Sequence, residues 1–410
     1  MTEDSFNRCA EYFCANPKLS LAQVYRDTSV PRNPYLEGRA CMSEKRYDLA
    51  LSHLNEALRQ NPGETDIYYQ IGLCQFALKN YPAARESFYE TEKRRKAMGS
   101  FYLAKCEVKL NHPELALGYL KTHLGSRYKK PESEILLDED LSSLESLPGW
   151  KQLWEEKNWY SSGDQEFQEA MFLKNQGDYL EAINVLNKLE KQGYSRSEVL
   201  TEKAAIYDVL GNEKAAFSSL KSAVKSDVRN LDAAQQLARF QTDNGDAEEA
   251  LASLNRVIRQ DPARFDAYLQ RAEALGKTGN LDGAMEDMNL YLQYFPTDHE
   301  AIYLKGMIQF ENGGYLKAIQ SFNDALKLEQ GKAEYYYARG RTYASTGTIR
   351  YADKDLSMAL DLDPLNGEIW YEKGLVSEKL GDLTEACHCY RKAFQYGIFE
   401  ARDLLDANCN

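Results

Sequence analysis

Cys387, His388 and Cys389 form the densest run of metal-ligand residue types in this 410-residue chain. A tetrahedral ion needs donors that converge, and adjacent residues on a helix diverge by about 100°, so the run predicts part of a helix and no metal site. The chain's eight cysteines include no Cys-x-x-Cys pair and its five histidines are scattered, which removes zinc-ribbon and thioredoxin-like chemistry. There is also no Gly-rich phosphate loop, no Gly-x-Ser-x-Gly elbow and no His-Glu-x-x-His helix. With no nucleophile set beside a base, the expectation is a non-enzyme with no catalytic residues and no cofactor. One covalent possibility remains. Cys387 falls in the last long helical segment and Cys409 at the end of a terminal one. A terminal helix folding back would allow a Cys387–Cys409 disulfide in an oxidising compartment, whereas in cytosol both would stay thiols.

The bulk of the chain fits surface helices better than reactive clusters. It has 11 prolines, 43% hydrophobic and 28% charged residues, which describes a soluble helical protein. A net charge of -13 argues against nucleic acid and anionic lipid as main partners. No apolar run approaches the roughly 20 residues of a membrane span. The opening "MTEDSFNRCAEYF" has neither a basic nor an apolar signal region. The chain is therefore expected to be cytoplasmic, or periplasmic in a bacterial envelope if an export signal has been removed. Residues 80–131 carry 11 Lys and Arg against 5 acids, which reads as a solvated face or as a dock for an acidic partner.

The elements show themselves through a repeat. Gly177, Gly211, Gly245, Gly279, Gly313, Gly347 and Gly381 are spaced at 34 residues. With repeats counted from 163, 197, 231, 265, 299, 333 and 367, position 8 is always Ala or Gly and position 20 always Ala, from Ala182 to Ala386. Small residues at both places let two antiparallel helices, A and B, approach closely. Glycine at position 15 suits the left-handed end of helix A, and Pro262, Pro296 and Pro364 stop helix B. Looser copies begin near 31, 65 and 97, marked by Tyr47, Ala50, Pro62, Gly72, Ala84 and Ala116.

This pattern resembles the tetratricopeptide repeat (TPR). The resemblance implies an all-α solenoid, a right-handed superhelix of about ten helix pairs. It divides the chain into an N-terminal helical cap (1–30), a three-repeat block (31–124), a connector (125–162), a seven-repeat block (163–400) and a capping helix (401–410). The connector holds Trp150, Trp154 and Trp159, three of the chain's four tryptophans. Leu137, Leu141 and Leu144 are expected on one helical face, with Trp150, Leu153 and Trp154 on a second short helix after Pro148-Gly149. The stretch reads as a joint covering the first block's apolar end, or as a partner-docking patch. It is similar to connector segments of multi-repeat TPR proteins in the bacterial envelope.

In TPR proteins, helix A lines the concave face and positions 2, 5, 9, 12 and 13 meet the ligand. At position 5 this chain presents Tyr35, Tyr69 and Phe101 early, then Tyr303, Tyr337 and Tyr371 late, the second set accompanied by Met307, Phe310, Arg341 and Leu375. These residues are the candidates for holding a protein or peptide partner. The Lys and Asn pairs with which TPR co-chaperones grip the heat-shock chaperone C-terminal tail are missing, so that tail is not expected to bind. The resemblance implies a protein-protein interaction scaffold, with a hinged, peptide-sensing cytoplasmic regulator as the alternative.

Overall fold

The computed structural model describes residues 32–155 and 159–409, so the expected cap over 1–30 lies outside the described residues. Among the described residues all regular structure is helical, in 23 α-helices and one 3-10 turn. Contacts divide the chain into two units. One comprises residues 31–240 with 259–263, and the described part of the other comprises 241–258 with 264–409.

In the first unit, helices α1 (Pro34–Ser43) and α2 (Tyr47–Gln60), α3 (Thr65–Ala77) and α4 (Tyr81–Arg94), and α5 (Ser100–Lys109) and α6 (Pro113–Leu124) form successive pairs. The connector follows as α7 (Glu132–Leu136), the 3-10 turn Ser142–Leu144, and α8 (Pro148–Glu155). Pairing resumes with α9 (Ser162–Gln176) and α10 (Tyr179–Gln192), then α11 (Arg196–Val209) and α12 (Glu213–Ser226). Helices α13 (Leu231–Asp243) and α14 (Ala247–Gln260) come next in the chain. The second unit continues with α15 (Phe265–Lys277) and α16 (Leu281–Tyr294), α17 (His299–Glu311) and α18 (Tyr315–Leu328), α19 (Ala333–Ser345) and α20 (Ile349–Leu362), and α21 (Gly367–Leu380) and α22 (Leu383–Gln395). Helix α23 (Ala401–Asn408) closes it.

All seven position-15 glycines are left-handed, with φ between 69° and 88°. In the early repeats the same place is held by Lys45, Lys79 and Asn111, at φ 59°, 60° and 62°. The turn is therefore imposed by the helix pair, and glycine only makes it cheaper. At Lys79 it is closed by Lys79 N–H donating to the Phe76 carbonyl and Asn80 N–H to the Gln75 carbonyl, both at 2.9 Å.

The small residues at position 8 face position 24 of the same pair. A Cβ on Gly72 would lie 2.7 Å from the Phe88 ring and one on Gly306 would lie 2.5 Å from the Phe322 ring, and Gly374 meets Tyr390 in the same way. Where position 24 is leucine both small residues occur at position 8: Ala170 and Ala204 share a core with Leu186 and Leu220, whereas Gly38 and Gly340 face Leu54 and Leu356.

Polar stitches also join successive repeats. Arg271 forks onto Asp287 of its own repeat (2.7 Å, twice) and onto Asn255 of the preceding one (2.7 Å). Arg339 repeats the motif with Asp355 (2.7 and 2.8 Å) and Asn323 (2.6 Å). Bidentate geometry of this kind fixes register as well as adding energy.

The connector differs in part from expectation. Leu141 and Leu144 are buried, but Leu137 is 81% exposed, so the three do not share a helical face. The cause is local: α7 ends at Leu136, and Asp138 and Asp140 turn toward α5, where Lys105 meets them at 2.9 and 2.8 Å. The connector lies wholly within the first unit.

Candidate functional site

Tyr303, Tyr337 and Tyr371 each occupy the same register on one A helix, α17, α19 and α21, and each is half-buried. Neighbouring A helices in this unit touch one another, so the three rings belong to one wall. Tyr303 stacks on Tyr335 with centroids 4.7 Å apart and lies 5.7 Å from Phe322. Met307 and Phe310 pack on the same Phe322–Ala338 cluster. Tyr337 packs against the α20 core and Tyr371 and Leu375 against that of α22. Arg341 connects the set, its guanidinium 5.4 Å from the Phe310 centroid and 5.5 Å from that of Tyr337, with Glu372 3.6 Å away. Burial raises the Tyr303 phenol above its ordinary value. It pushes Tyr337 up to about 12 against the lowering influence of Arg341. At neutral pH both are uncharged hydroxyls on apolar rings, able to donate and accept hydrogen bonds. The wall therefore offers flat apolar faces, hydroxyl tips and one guanidinium.

The early set is less uniform. Tyr35 is half-buried and accepts a hydrogen bond from Arg39 at 2.9 Å. Tyr69 is half-buried against Phe88 and Tyr102, and burial pushes its phenol up to about 12. Phe101 departs from expectation: it is 5% exposed, with Lys105 and Lys130 5.5 and 5.1 Å from its centroid and the His123 ring beside it. Its face is covered by connector chemistry and is closed to a partner.

The tryptophans are likewise core residues rather than exposed rings. Trp150 and Trp159 are buried and Trp154 is partly so, all in one cluster with Leu117, Leu120 and Leu141. The Trp159 indole N–H donates to the Leu153 carbonyl at 2.9 Å. The Tyr160 hydroxyl donates to the Lys130 carbonyl at 2.7 Å, and Lys129 reaches both the Trp159 carbonyl and Asp164. The basic run at 80–131 is largely paired within the chain: Lys93 and Arg94 with Glu90, Arg95 with Asp66, and Lys109 with Asp140.

The structure joins Cys387 to Cys409, with Cα atoms 5.6 Å apart. His388 and Cys389 take no part in a metal cluster, and among the described residues no His, Cys, Asp and Glu group could hold an ion. No described helix is long and apolar enough to cross a membrane.

Family models described as tetratricopeptide repeat match residues 42–88 and 241–308, and residues 299–331 and 367–396. This chain is a multi-repeat TPR protein. Among solved structures it is similar to a tetratricopeptide repeat protein from Parabacteroides merdae, at 18% identity and TM-score 0.53, over 61% of this chain and 99% of that one. Yeast Tom70 aligns at 13% identity and TM-score 0.42 over 92% and 94% of the two chains. Cut9–Hcn1 of the APC/C aligns at 13% and 0.46 over 98% of each. No curated protein matches by sequence. The tyrosine register of this TPR protein follows from the repeat spacing; the fit of three position-8 glycines against aromatic rings at position 24 is a further signal that the spacing alone does not give. That signal was available in the pairing of Gly72, Gly306 and Gly374 with aromatic residues 16 places on.

Proposed function

We propose that the chain is a non-enzymatic scaffold that receives a segment of a partner protein against the wall of Tyr303, Tyr337 and Tyr371. The observation that carries this reading is the repetition of a half-buried tyrosine at the same register in three successive A helices. Packed helices stand roughly 8–10 Å apart, so three such rings span about 20 Å, the length of six or so residues of extended peptide at roughly 3.3 Å each. Tyrosine suits this role because it presents a large rigid face at small entropic cost, with a hydroxyl for peptide carbonyls and amides. Arg341 supplies a cation for a backbone carbonyl or a side-chain carboxylate. A Cys387–Cys409 bond supports a place in an oxidising compartment such as a bacterial envelope, where the scaffold would organise a multiprotein assembly.

An affinity capture from the native organism, repeated with Tyr303, Tyr337 and Tyr371 changed to alanine, tests the reading. Hot-spot aromatics are worth about 2 kcal/mol or more each, so the triple variant should lose its prey while keeping a native helical spectrum. Prey retained at full yield by the folded variant removes the wall from the function.

A further inference from the structure

The B helices of the regular array mostly begin with an acid in the first turn: Glu181 in α10, Glu213 in α12, Glu248 in α14, Asp282 in α16 and Glu385 in α22. That choice suits the partial positive charge at a helix N-terminus. Helices α18 and α20 break the rule, having no acid there and carrying Lys317 and Arg350 instead. Neither start has a side-chain cap, since Gly314 has no side chain to offer and the Thr348 hydroxyl is hydrogen-bonded to Thr346 at 3.0 Å. Each cation works against its own helix by about 0.3–1 kcal/mol. A local conflict repeated in two consecutive repeats marks a place where charge serves something other than folding.

Both helix starts open into one groove of about 1460 Å³, which Lys305 and Lys354 also line and whose one acid is Asp282. The walls thus carry four cations against one anion, in a chain whose net charge is -13. No ion pair engages Lys317, Arg350 or Lys354 among the described residues, in contrast to the paired basic run at 80–131. At the groove floor Lys305 donates to Asn289 at 2.8 Å. Burial, opposed by Asp324 and aided by the nearby Lys317 charge, brings its ammonium down to about 8. Apolar surface lies between the charges: Leu316, Tyr351 and Leu380 are 47%, 48% and 43% exposed. Lys305 sits two residues after Tyr303 on α17, about 200° around the helix, so the groove opens away from the tyrosine wall.

We propose that this groove is a second docking site, which takes an acidic segment with interspersed apolar residues from a partner protein. The acids would answer Lys317, Arg350 and Lys354 and complete the bare helix starts, while the apolar residues would settle on Leu316, Tyr351 and Leu380. The site is independent of the tyrosine wall, so the chain would hold two partners, or two segments of one.

Fluorescence anisotropy with a labelled peptide repeating Glu-Glu-Leu, against a Gln-Gln-Leu control, tests this on the full chain. The acidic peptide should bind, and binding should weaken as salt rises and the Debye length falls toward ~8 Å. Lys317→Glu with Arg350→Glu should weaken it about tenfold, the effect of turning two modest surface attractions into repulsions. The same variant should melt at a higher temperature than the parent, because it restores first-turn acids, so lost binding cannot be ascribed to misfolding. Tyr303→Ala, Tyr337→Ala and Tyr371→Ala together should leave peptide binding unchanged, which separates this site from the wall. Undiminished binding to the charge-reversed variant would overturn the proposal. So would equal binding of the glutamine control, loss with the tyrosine variant, displacement by inorganic phosphate at concentrations that do not merely raise ionic strength, or tighter binding of an oligothymidylate.

Discussion

At position 306 the absent side chain and the ring at position 322 amount to one choice made across two helices. The Phe322 ring is fully buried and stands where a Cβ on Gly306 would be, 2.5 Å from its edge. An earlier repeat solves the same volume problem differently: Ala204 shares a core with Leu220, and both are buried. Because cores are close-packed, an added methyl must displace the ring or the backbone. Gly306→Ala should therefore cost roughly 1–3 kcal/mol despite alanine's better helix propensity. Phe322→Leu in the Gly306→Ala background should recover part of that loss, since it recreates the Ala–Leu pair. Urea unfolding of the two single variants and the double variant measures the coupling, and additive losses would contradict the account. The sequence alone marks such glycines as small residues at a helix contact, without saying which side chain fills the space. The pairing with an aromatic residue becomes visible once the 34-residue register is laid out.

At the scale of elements, most of the array was legible and the connector only in part. The helix pairs follow from glycine, alanine and proline at fixed offsets, because those residues set turn, approach and stop wherever they recur. Between α6 and α9 nothing recurs, and the outcome depends on contacts far apart in sequence, such as Lys105 with Asp138 or Tyr160 with Lys130. Periodicity therefore could not tell that Leu137 faces solvent or that Phe101 is roofed over. His123 reports on this assembly. Its ring is buried against Phe101, its Nε2 accepts the Lys130 amide at 3.1 Å, and its Nδ1 has no hydrogen-bond partner among the described residues. Burial first, and the Lys130 charge second, hold its pKa down at about 4. The folded ring stays neutral where the unfolded one, near 6.5, takes a proton, so its contribution is complete above about 6.5 and is lost as pH falls toward 4. For this group alone the loss between pH 7 and pH 5 is about 2 kcal/mol. His123→Gln should be less stable at pH 7 yet flatter with pH, as denaturant titrations at the two values would reveal. An unchanged pH slope would mean that the ring is protonated or accessible in the folded protein.

For the molecule as a whole, each repeat leans on its immediate neighbours, and stability is then close to a sum of repeat and interface terms. The polar stitches make this concrete in the second unit, where Arg271 and Arg339 each bridge their own repeat and the one before, and go no further. Unfolding of such an array is not obliged to be all-or-none, so a weakened repeat should open locally before the rest. Native-state hydrogen exchange on Gly306→Ala examines this directly. Amides in α17 and α18 should lose most protection, those in α15, α16, α19 and α20 should lose a smaller part, and those in α22 and α23, which close the far end of the unit, should exchange as in the parent. The far end has its own support in the Cys387–Cys409 link, whose closed loop of about 20 residues is worth roughly 3 kcal/mol. Uniform loss of protection from α15 through α23 would show that the unit unfolds as one block.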